Sequence, residues 1–135
     1  AINAYGSLAN SRDYQIKLLG SYLFPKIGVR MAAIYSLAQG PRYSRQFTAE
    51  LDQGPVEIYA VPRCSLVGNA IQALDIRLEK TFLVGRINLG IVADVHNVFN
   101  ADKATAYYDI LDTASLQASA YQTPRYCQLG MRMTF

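Results

Sequence analysis

Apolar and polar residues alternate along the last stretch of the chain. From Arg125 to Phe135 the odd positions are mostly apolar, whereas the even positions are mostly polar residues or glycine. A period of two predicts a β-strand with one apolar and one polar face. A strand of about five or six residues is usual in a soluble domain, whereas a tilted strand needs about nine to eleven residues to cross a bilayer. The length of this stretch therefore favours a membrane-spanning strand.

The same alternation recurs in earlier parts of the chain. It is clearest from Leu74 to Phe82, where the apolar positions Leu74, Ile76 and Leu78 alternate with charged residues. Charged residues interrupt every apolar run, so no segment approaches the roughly 18 apolar residues of a spanning helix. If the chain enters a membrane, it therefore does so as β-strands. The predicted strands are 2–8, 13–24, 29–39, 74–82, 86–99 and 125–135.

The predicted connections between these strands alternate in length. Short turns fall at about 25–28 and 83–85, and long loops at about 41–71 and 100–122, with a short extended stretch at 56–61. In an up-and-down order, the short turns lie at one end of the sheet and the long loops at the other. Outer-membrane barrels have short periplasmic turns and long extracellular loops. The pattern therefore predicts an all-β fold, an antiparallel up-and-down transmembrane β-barrel whose last strand runs towards the periplasmic end.

Aromatic residues fall near both ends of the predicted strands. Interfacial belts of aromatic side chains are typical of membrane barrels, whereas a soluble core more naturally has aromatic residues in the middle of its strands. The predicted lower belt contains Tyr22, Phe24, Phe82 and Phe135, and the upper belt contains Tyr14, Tyr35 and Phe99.

Composition excludes several classes of function. The formal net charge of +3 is small and the basic residues are spread along the chain, which argues against a nucleic-acid partner. The two cysteines, Cys64 and Cys127, are too few for a disulfide scaffold; unpaired thiols are favoured over a bond between them.

No catalytic or metal-binding pattern is present. His96 is the only histidine and shares a strand face with Asp94, but no nucleophile or ligand spacing accompanies them. The row Asp75, Arg77 and Glu79 is expected to face a wet interior, because each charge would cost about 2 to 4 kcal/mol at the bilayer midplane. We therefore expect a non-enzymatic protein without a cofactor or metal. Candidate substrate contacts in the long loops, for which loop packing is an equal alternative, are Arg42, Tyr43, Arg45, Tyr107 and Tyr108.

Several segments resemble the carboxyl-terminal barrel strands of TonB-dependent outer-membrane receptors, especially those with a carboxypeptidase-like regulatory domain at the amino end. The resemblance covers nearly all of the chain. His96 departs from it, since the family usually has an aromatic residue there. The segments are Lys17–Tyr22, Gly40–Tyr43, Leu74–Lys80, Ala93–Asn100 and Pro124–Phe135.

The resemblance implies a bacterial outer-membrane receptor that takes up a bulky nutrient. Such receptors have about twenty-two strands around an amino-terminal plug and a segment that engages TonB. About six strands are fewer than the eight of the smallest single-chain barrels. We therefore expect the chain to be the last part of a larger receptor, or one chain of an assembly that completes the wall. Its implied partners are outer-membrane lipid, the remainder of the barrel and plug, and the TonB system.

The end of the terminal strand also resembles the signal by which the barrel-assembly machinery recognises its substrates. That machinery is expected to capture the strand by edge pairing. The same residues can simply face lipid, and the two roles are compatible. They are Leu129, Met131, Met133 and Phe135.

Two other functions fit the same alternation. A soluble small β-barrel or sandwich could turn its apolar face inwards and hold an apolar ligand, because inside-out reversal leaves the period unchanged. Alternatively, the chain could be a structural outer-membrane component of an assembly.

Overall fold

The computed structural model describes residues 3–9, 11–108 and 117–134. The described residues form antiparallel β-sheets, which confirms the predicted all-β class. No helix long and apolar enough to span a membrane occurs in these ranges. The strands are β1 (Gln15–Phe24), β2 (Val29–Ala38), β3 (Arg42–Tyr43), β4 (Gln46–Leu51), β5 (Gly54–Tyr59), β6 (Leu66–Val67), β7 (Ile71–Val84), β8 (Ile87–His96), β9 (Ala104–Tyr107), β10 (Ala118–Tyr121) and β11 (Tyr126–Thr134).

The longer strands form one five-stranded sheet in the order β1-β2-β7-β8-β11. This sheet makes up one compact unit, residues 16–37, 72–101 and 123–135, which we call the sheet unit. The sheet is open, since within the described residues β1 pairs only with β2 and β11 only with β8.

Two tight turns lie at the same end of this sheet. In the first, Gly28 adopts a φ of 64° and its N–H donates to the Phe24 carbonyl at 2.9 Å. In the second, Gly85 and Arg86 connect β7 to β8, and Gly85 has a φ of 65°, as the first central residue of a type II′ turn does. The second turn is thus Gly85–Arg86. Strand β7 continues to Val84, so it includes two residues of the range 83–85 that was predicted as the turn.

The orientation of β2 against β7 shows that these turns share one end. A groove is lined by Val29, at the start of β2, together with Phe82, near the end of β7. A second groove is lined by Ile34 together with Asp75, near the start of β7. The two strands therefore run antiparallel. We call the end with the two turns the turn end and the opposite end the loop end; the carboxyl end of β11 lies at the turn end, because Thr134 pairs with Asn88.

The register separates two faces of β7, β8 and β11, because directly paired residues lie on the same face. All described strands of the sheet unit belong to this one sheet, so no second layer formed by the described residues of the unit covers either face. The apolar face carries Ile76, Leu78, Lys80, Phe82, Leu89, Ile91, Ala93, Val95, Cys127, Leu129, Met131 and Met133. The polar face carries Arg77, Glu79, Thr81, Leu83, Asn88, Gly90, Val92, Asp94, His96, Tyr126, Gln128, Gly130, Arg132 and Thr134.

The prediction of a strand at 2–8 is wrong for the part that the structure describes. Residues 3–8 make only one isolated bridge, between Gly6 and Arg63. The alternation in this stretch is short and lacks a neighbouring strand with which to form a ladder. The described sheet therefore has five strands instead of about six.

The second compact unit contains residues 1–15, 38–71 and 102–122, and we call it the loop unit. The stretches predicted as long loops contain three two-stranded ladders there: β3 with β6, β4 with β5, and β9 with β10. The sequence predicted one extended stretch at 56–61, but β5 covers Gly54–Tyr59 and pairs with β4. Residues 109–116 of the second loop lie outside the described residues.

The small core of the described chain lies in the loop unit. Its buried hydrophobic residues are Ala38 and Cys64. Two backbone segments also approach closely at Gly40, where a Cβ would come within 2.3 Å of the Gly68 carbonyl oxygen. Any Cβ would clash at this contact, which explains why glycine occupies position 40 in the Gly40-Pro41 corner.

Candidate functional site

The polar face of the sheet unit carries the main cluster of ionisable side chains. At the loop end, the His96 ring stacks on the Tyr126 ring of the paired strand, with centroids 4.6 Å apart. His96 Nδ1 also lies 3.4 Å from an Asp75 carboxylate oxygen. The row Asp75, His96 and Tyr126 therefore crosses three neighbouring strands.

The next row towards the turn end contains a two-point ion pair. Arg77 on β7 lies opposite Asp94 on β8. Arg77 Nε donates to one carboxylate oxygen at 2.6 Å, and Nη2 donates to the other at 2.8 Å. Such bidentate geometry fixes the orientation of the guanidinium as well as pairing its charge. Asp94 thus pairs with Arg77 in the structure, whereas the sequence suggested only that it shared a face with His96.

A second ion pair of this face reaches across a whole strand. Arg132 on β11 binds the Glu79 carboxylate on β7, although β8 lies between them. Gly90 is the residue of β8 directly opposite Arg132. A Cβ at Gly90 would stand 3.8 Å from Arg132 Nε, so a larger side chain would compete for the path of the arginine.

These contacts produce a hydrophilic surface with paired charges. A groove of about 290 Å³ opens on it, lined by Ala32, Ile34, Asp75, Ile76, Arg77, Asp94 and His96. The described residues hold no group of three His, Cys, Asp or Glu that could bind a metal. The arrangement is suited to contact with water or a hydrophilic solute.

Asn97 is a structural residue that the sequence analysis missed. It is buried, adopts a φ of 49°, and its side-chain amide donates to the carbonyls of Ala101 and Thr123 at 2.9 and 2.8 Å. Its backbone N–H donates to Asp75. The available signal was the spacing Asn97 to Asn100, because asparagine tolerates left-handed conformations and bonds nearby backbone. Asn100 has a φ of 51° and accepts the N–H of Arg125.

The candidate contacts in the loop unit fall into two groups. Arg42 is bound: its guanidinium donates to both carboxylate oxygens of Asp13 at 2.6 and 2.7 Å, and its side chain is 13% exposed. The hydrogen bond from Arg42, together with one from Gln39, holds the pKa of the Asp13 carboxyl below its ordinary value. Arg42 is therefore positioned as a packing residue.

The other four candidates also comprise packed residues and exposed residues. Tyr43 and Tyr107 contact each other, with ring centroids 4.5 Å apart, so the structure brings these two together. Tyr108 and Arg45 are exposed. These two remain available to a ligand.

The predicted belt residues Tyr22, Phe24, Tyr35, Phe82 and Phe99 lie in the sheet unit, whereas Tyr14 lies in the loop unit. At the turn end, the Tyr22 and Phe24 rings meet edge to face at 4.8 Å. At the loop end, Tyr35 and Phe99 meet at 6.5 Å. Phe82 lies near the turn end of β7, and Tyr14 directly precedes β1 in the chain.

The residues predicted as the assembly signal are uncovered on the apolar face. The exposed fractions of Leu129, Met131 and Met133 are 80%, 71% and 53%. Phe135 lies outside the described residues.

Both cysteines are free. Cys64 is buried in the loop unit, where its N–H donates to Ser44 Oγ at 2.8 Å, and Cys127 is exposed on β11. Comparison of the chain with protein-family models, with curated proteins and with solved structures found no match.

Proposed function

We propose that the sheet unit is a membrane-spanning section of the wall of a bacterial outer-membrane β-barrel, and that the protein serves TonB-dependent uptake of a bulky nutrient. One observation carries the proposal. The five-stranded sheet exposes an apolar face without a covering layer in its unit, while its other face carries paired charges. A large exposed apolar surface marks contact with a membrane or a partner.

The strand lengths fit a bilayer. The five strands contain between 9 and 14 residues. A tilted strand needs about nine to eleven residues to cross the hydrocarbon core. The shortest strand, β11, is thus long enough to span.

The paired charges lie on one face of the sheet, which indicates which face contacts lipid. Arg77 would cost about 2 to 4 kcal/mol at the midplane if it faced lipid, and Asp94 and Glu79 would cost somewhat less, whereas all three cost little if they face a wet lumen. The polar face is therefore the lumen side, and Leu129, Met131 and Met133 contact lipid. The turn end is then periplasmic, and the stretches 41–71 and 100–122 are the expected extracellular loops, as in other outer-membrane barrels.

Coupling to TonB follows from the family resemblance of the strand sequences. The exposed β11 edge is suited to capture by the barrel-assembly machinery, since strand addition uses free backbone groups. The free edges of β1 and β11 require further strands to close a barrel, which the remainder of the wall would supply. Uptake of substrate in cells with and without an active TonB system tests this part of the proposal.

A soluble barrel or sandwich is less well supported. Such a fold would bury its apolar face in a core, whereas the buried hydrophobic residues of the described chain are Ala38 and Cys64, both outside the sheet unit.

Fluorescence quenching by lipid tests the orientation of β11. Single cysteines at Leu129 and Gln128, in a background with Cys64 and Cys127 replaced by serine, would carry a polarity-sensitive fluorophore. In membranes containing acyl-chain nitroxide lipids, we expect strong quenching at Leu129 and weak quenching at Gln128. Quenching at Gln128 alone, or at neither position, would contradict the proposal.

A further inference from the structure

Lys80 is the one charged residue among the described apolar-face positions of β7, β8 and β11. It pairs with Ile91 of β8, whose side chain is exposed. Its chain neighbour Glu79 points to the opposite face, where it binds Arg132. No described carboxylate lies within ion-pair distance of the Lys80 amine.

The Lys80 amine lies over an aromatic ring towards the turn end. Its nitrogen is 5.0 Å from the centroid of the Phe82 ring, within the range of a cation–π contact. Phe82 is two residues closer to the turn, so the side chain extends towards that end of the sheet. Lysine side chains on lipid-facing surfaces extend in this way, so that the amine lies at the membrane interface.

An apolar groove runs beside Lys80 on the same face. Its volume is about 290 Å³. Glu79 also borders it, although its carboxylate is engaged on the other face. The remaining lining residues are Val29, Leu78, Lys80, Phe82, Ile91 and Ala93.

The turn end is positively charged. The turn 25–28 contains Lys26, and the turn Gly85–Arg86 contributes Arg86; both are exposed, and neither turn contains an acidic residue. Each basic residue near a membrane surface contributes about 1 kcal/mol of attraction to anionic lipids. The charge at this end therefore complements an anionic headgroup.

We propose that an anionic phospholipid of the periplasmic leaflet binds at this place on the outside of the wall. Its phosphate pairs with the Lys80 ammonium, and an acyl chain occupies the groove between Val29 and Ile91. The inference rests on the proposed membrane location and names a lipid partner for it. Lys80 is then a binding residue, and its charge is compensated by the lipid.

Lipid retention measured by native mass spectrometry tests the site. The chain, together with the strands that complete its wall, would be reconstituted in vesicles of phosphatidylglycerol and phosphatidylethanolamine and then extracted into mild detergent. We expect the wild type to retain phosphatidylglycerol preferentially, and Lys80→Gln to retain about fivefold less, as the loss of about 1 kcal/mol implies. Lys17→Gln, the same change at an exposed position of β1, is the matched control and should retain as much as the wild type.

A second variant separates the groove from the charge. Ala93→Trp fills the groove and keeps Lys80, so it should also reduce retention. Equal retention by Lys80→Gln and the wild type, or equal loss in Lys17→Gln, would overturn the lipid site. Displacement of phosphatidylglycerol by millimolar inorganic phosphate would overturn it too, because the site would then bind phosphate alone. A completed barrel that never enters the vesicles would overturn the wall proposal together with this one.

Discussion

At the scale of single residues, the ion pair between Arg132 and Glu79 joins strands that are not neighbours. Arg132 reaches Glu79 over β8, where the residue directly opposite Arg132 is Gly90, which has no side chain. The sequence showed that both charged residues lie on polar faces, but the two are 53 positions apart. Their pairing depends on the register of three strands, which no local pattern encodes.

Reversing these two charges tests the pair. We expect Arg132→Glu and Glu79→Arg each to lower the free energy of unfolding by about 1 kcal/mol, because like charges then meet on one face. The double variant should recover most of that loss. Denaturant titration in phospholipid vesicles measures these values, and the same cycle on Lys17 and Glu79 should show no coupling. If the double variant loses as much free energy of unfolding as the two single variants together, the interaction is excluded.

The Asp13 contact makes the loop unit sensitive to acid. The Arg42 hydrogen bond lowers the pKa of Asp13 from 3.8, so the folded form binds its proton less tightly than the unfolded form. The resulting stabilisation is complete above pH 3.8 and is lost as the pH falls through the lowered pKa. We expect the protection factor of the Gln39 backbone amide, which donates to the Tyr14 carbonyl, to fall below that pH.

Asp13→Asn is the matched variant for this effect. It should show a low protection factor for this amide already at neutral pH and no further decrease in acid. An amide whose acid response is the same in both proteins would show that Asp13 does not control this part of the loop unit.

At the scale of elements, alternation predicted the strands of the sheet unit well and those of the loop unit poorly. β7, β8 and β11 have a strong contrast between their faces, so the period of two was visible. The β4/β5 hairpin also alternates, but Gly54-Pro55 suggested a loop. Pro55 is compatible with β5 because each strand of a two-stranded ladder has an outer edge. At a position whose N–H would point to that edge, proline costs no hydrogen bond of the ladder.

The two faces of β11 should respond differently to the same new charge. If the apolar face contacts lipid, Leu129→Arg should lower the free energy of unfolding by about 2 to 4 kcal/mol, because Leu129 lies further from the turn end than the row of Lys80, Ile91 and Met131. Gln128→Arg places the same side chain on the wet face and should change it by less than about 1 kcal/mol. Unfolding in vesicles provides both values. A larger loss for Gln128→Arg would reverse the assignment of the faces.

At the scale of the whole molecule, the open edges of the five-stranded sheet decide what the protein requires. β1 and β11 each have one neighbour within the described chain. An unpaired edge in lipid is very unfavourable, since each unsatisfied backbone group there costs several kcal/mol. A wall section of this kind is therefore stable in a membrane only when other strands pair with both edges.

Proline substitutions at successive positions distinguish a paired edge from a free one. Along an edge strand, alternate N–H groups bond to the single neighbour and the others point outwards, so one of two adjacent prolines spares the ladder. In a strand paired on both sides, each of the two prolines removes a hydrogen bond.

We expect Gly130→Pro and Met131→Pro both to lower the unfolding temperature of the membrane-inserted protein, measured by the loss of folded mobility in gels. Gly90→Pro and Ile91→Pro, in the interior strand β8, supply the reference for pairing on both sides. If one β11 proline leaves the unfolding temperature unchanged while both β8 prolines lower it, the β11 edge is free and the sheet is not part of a closed wall.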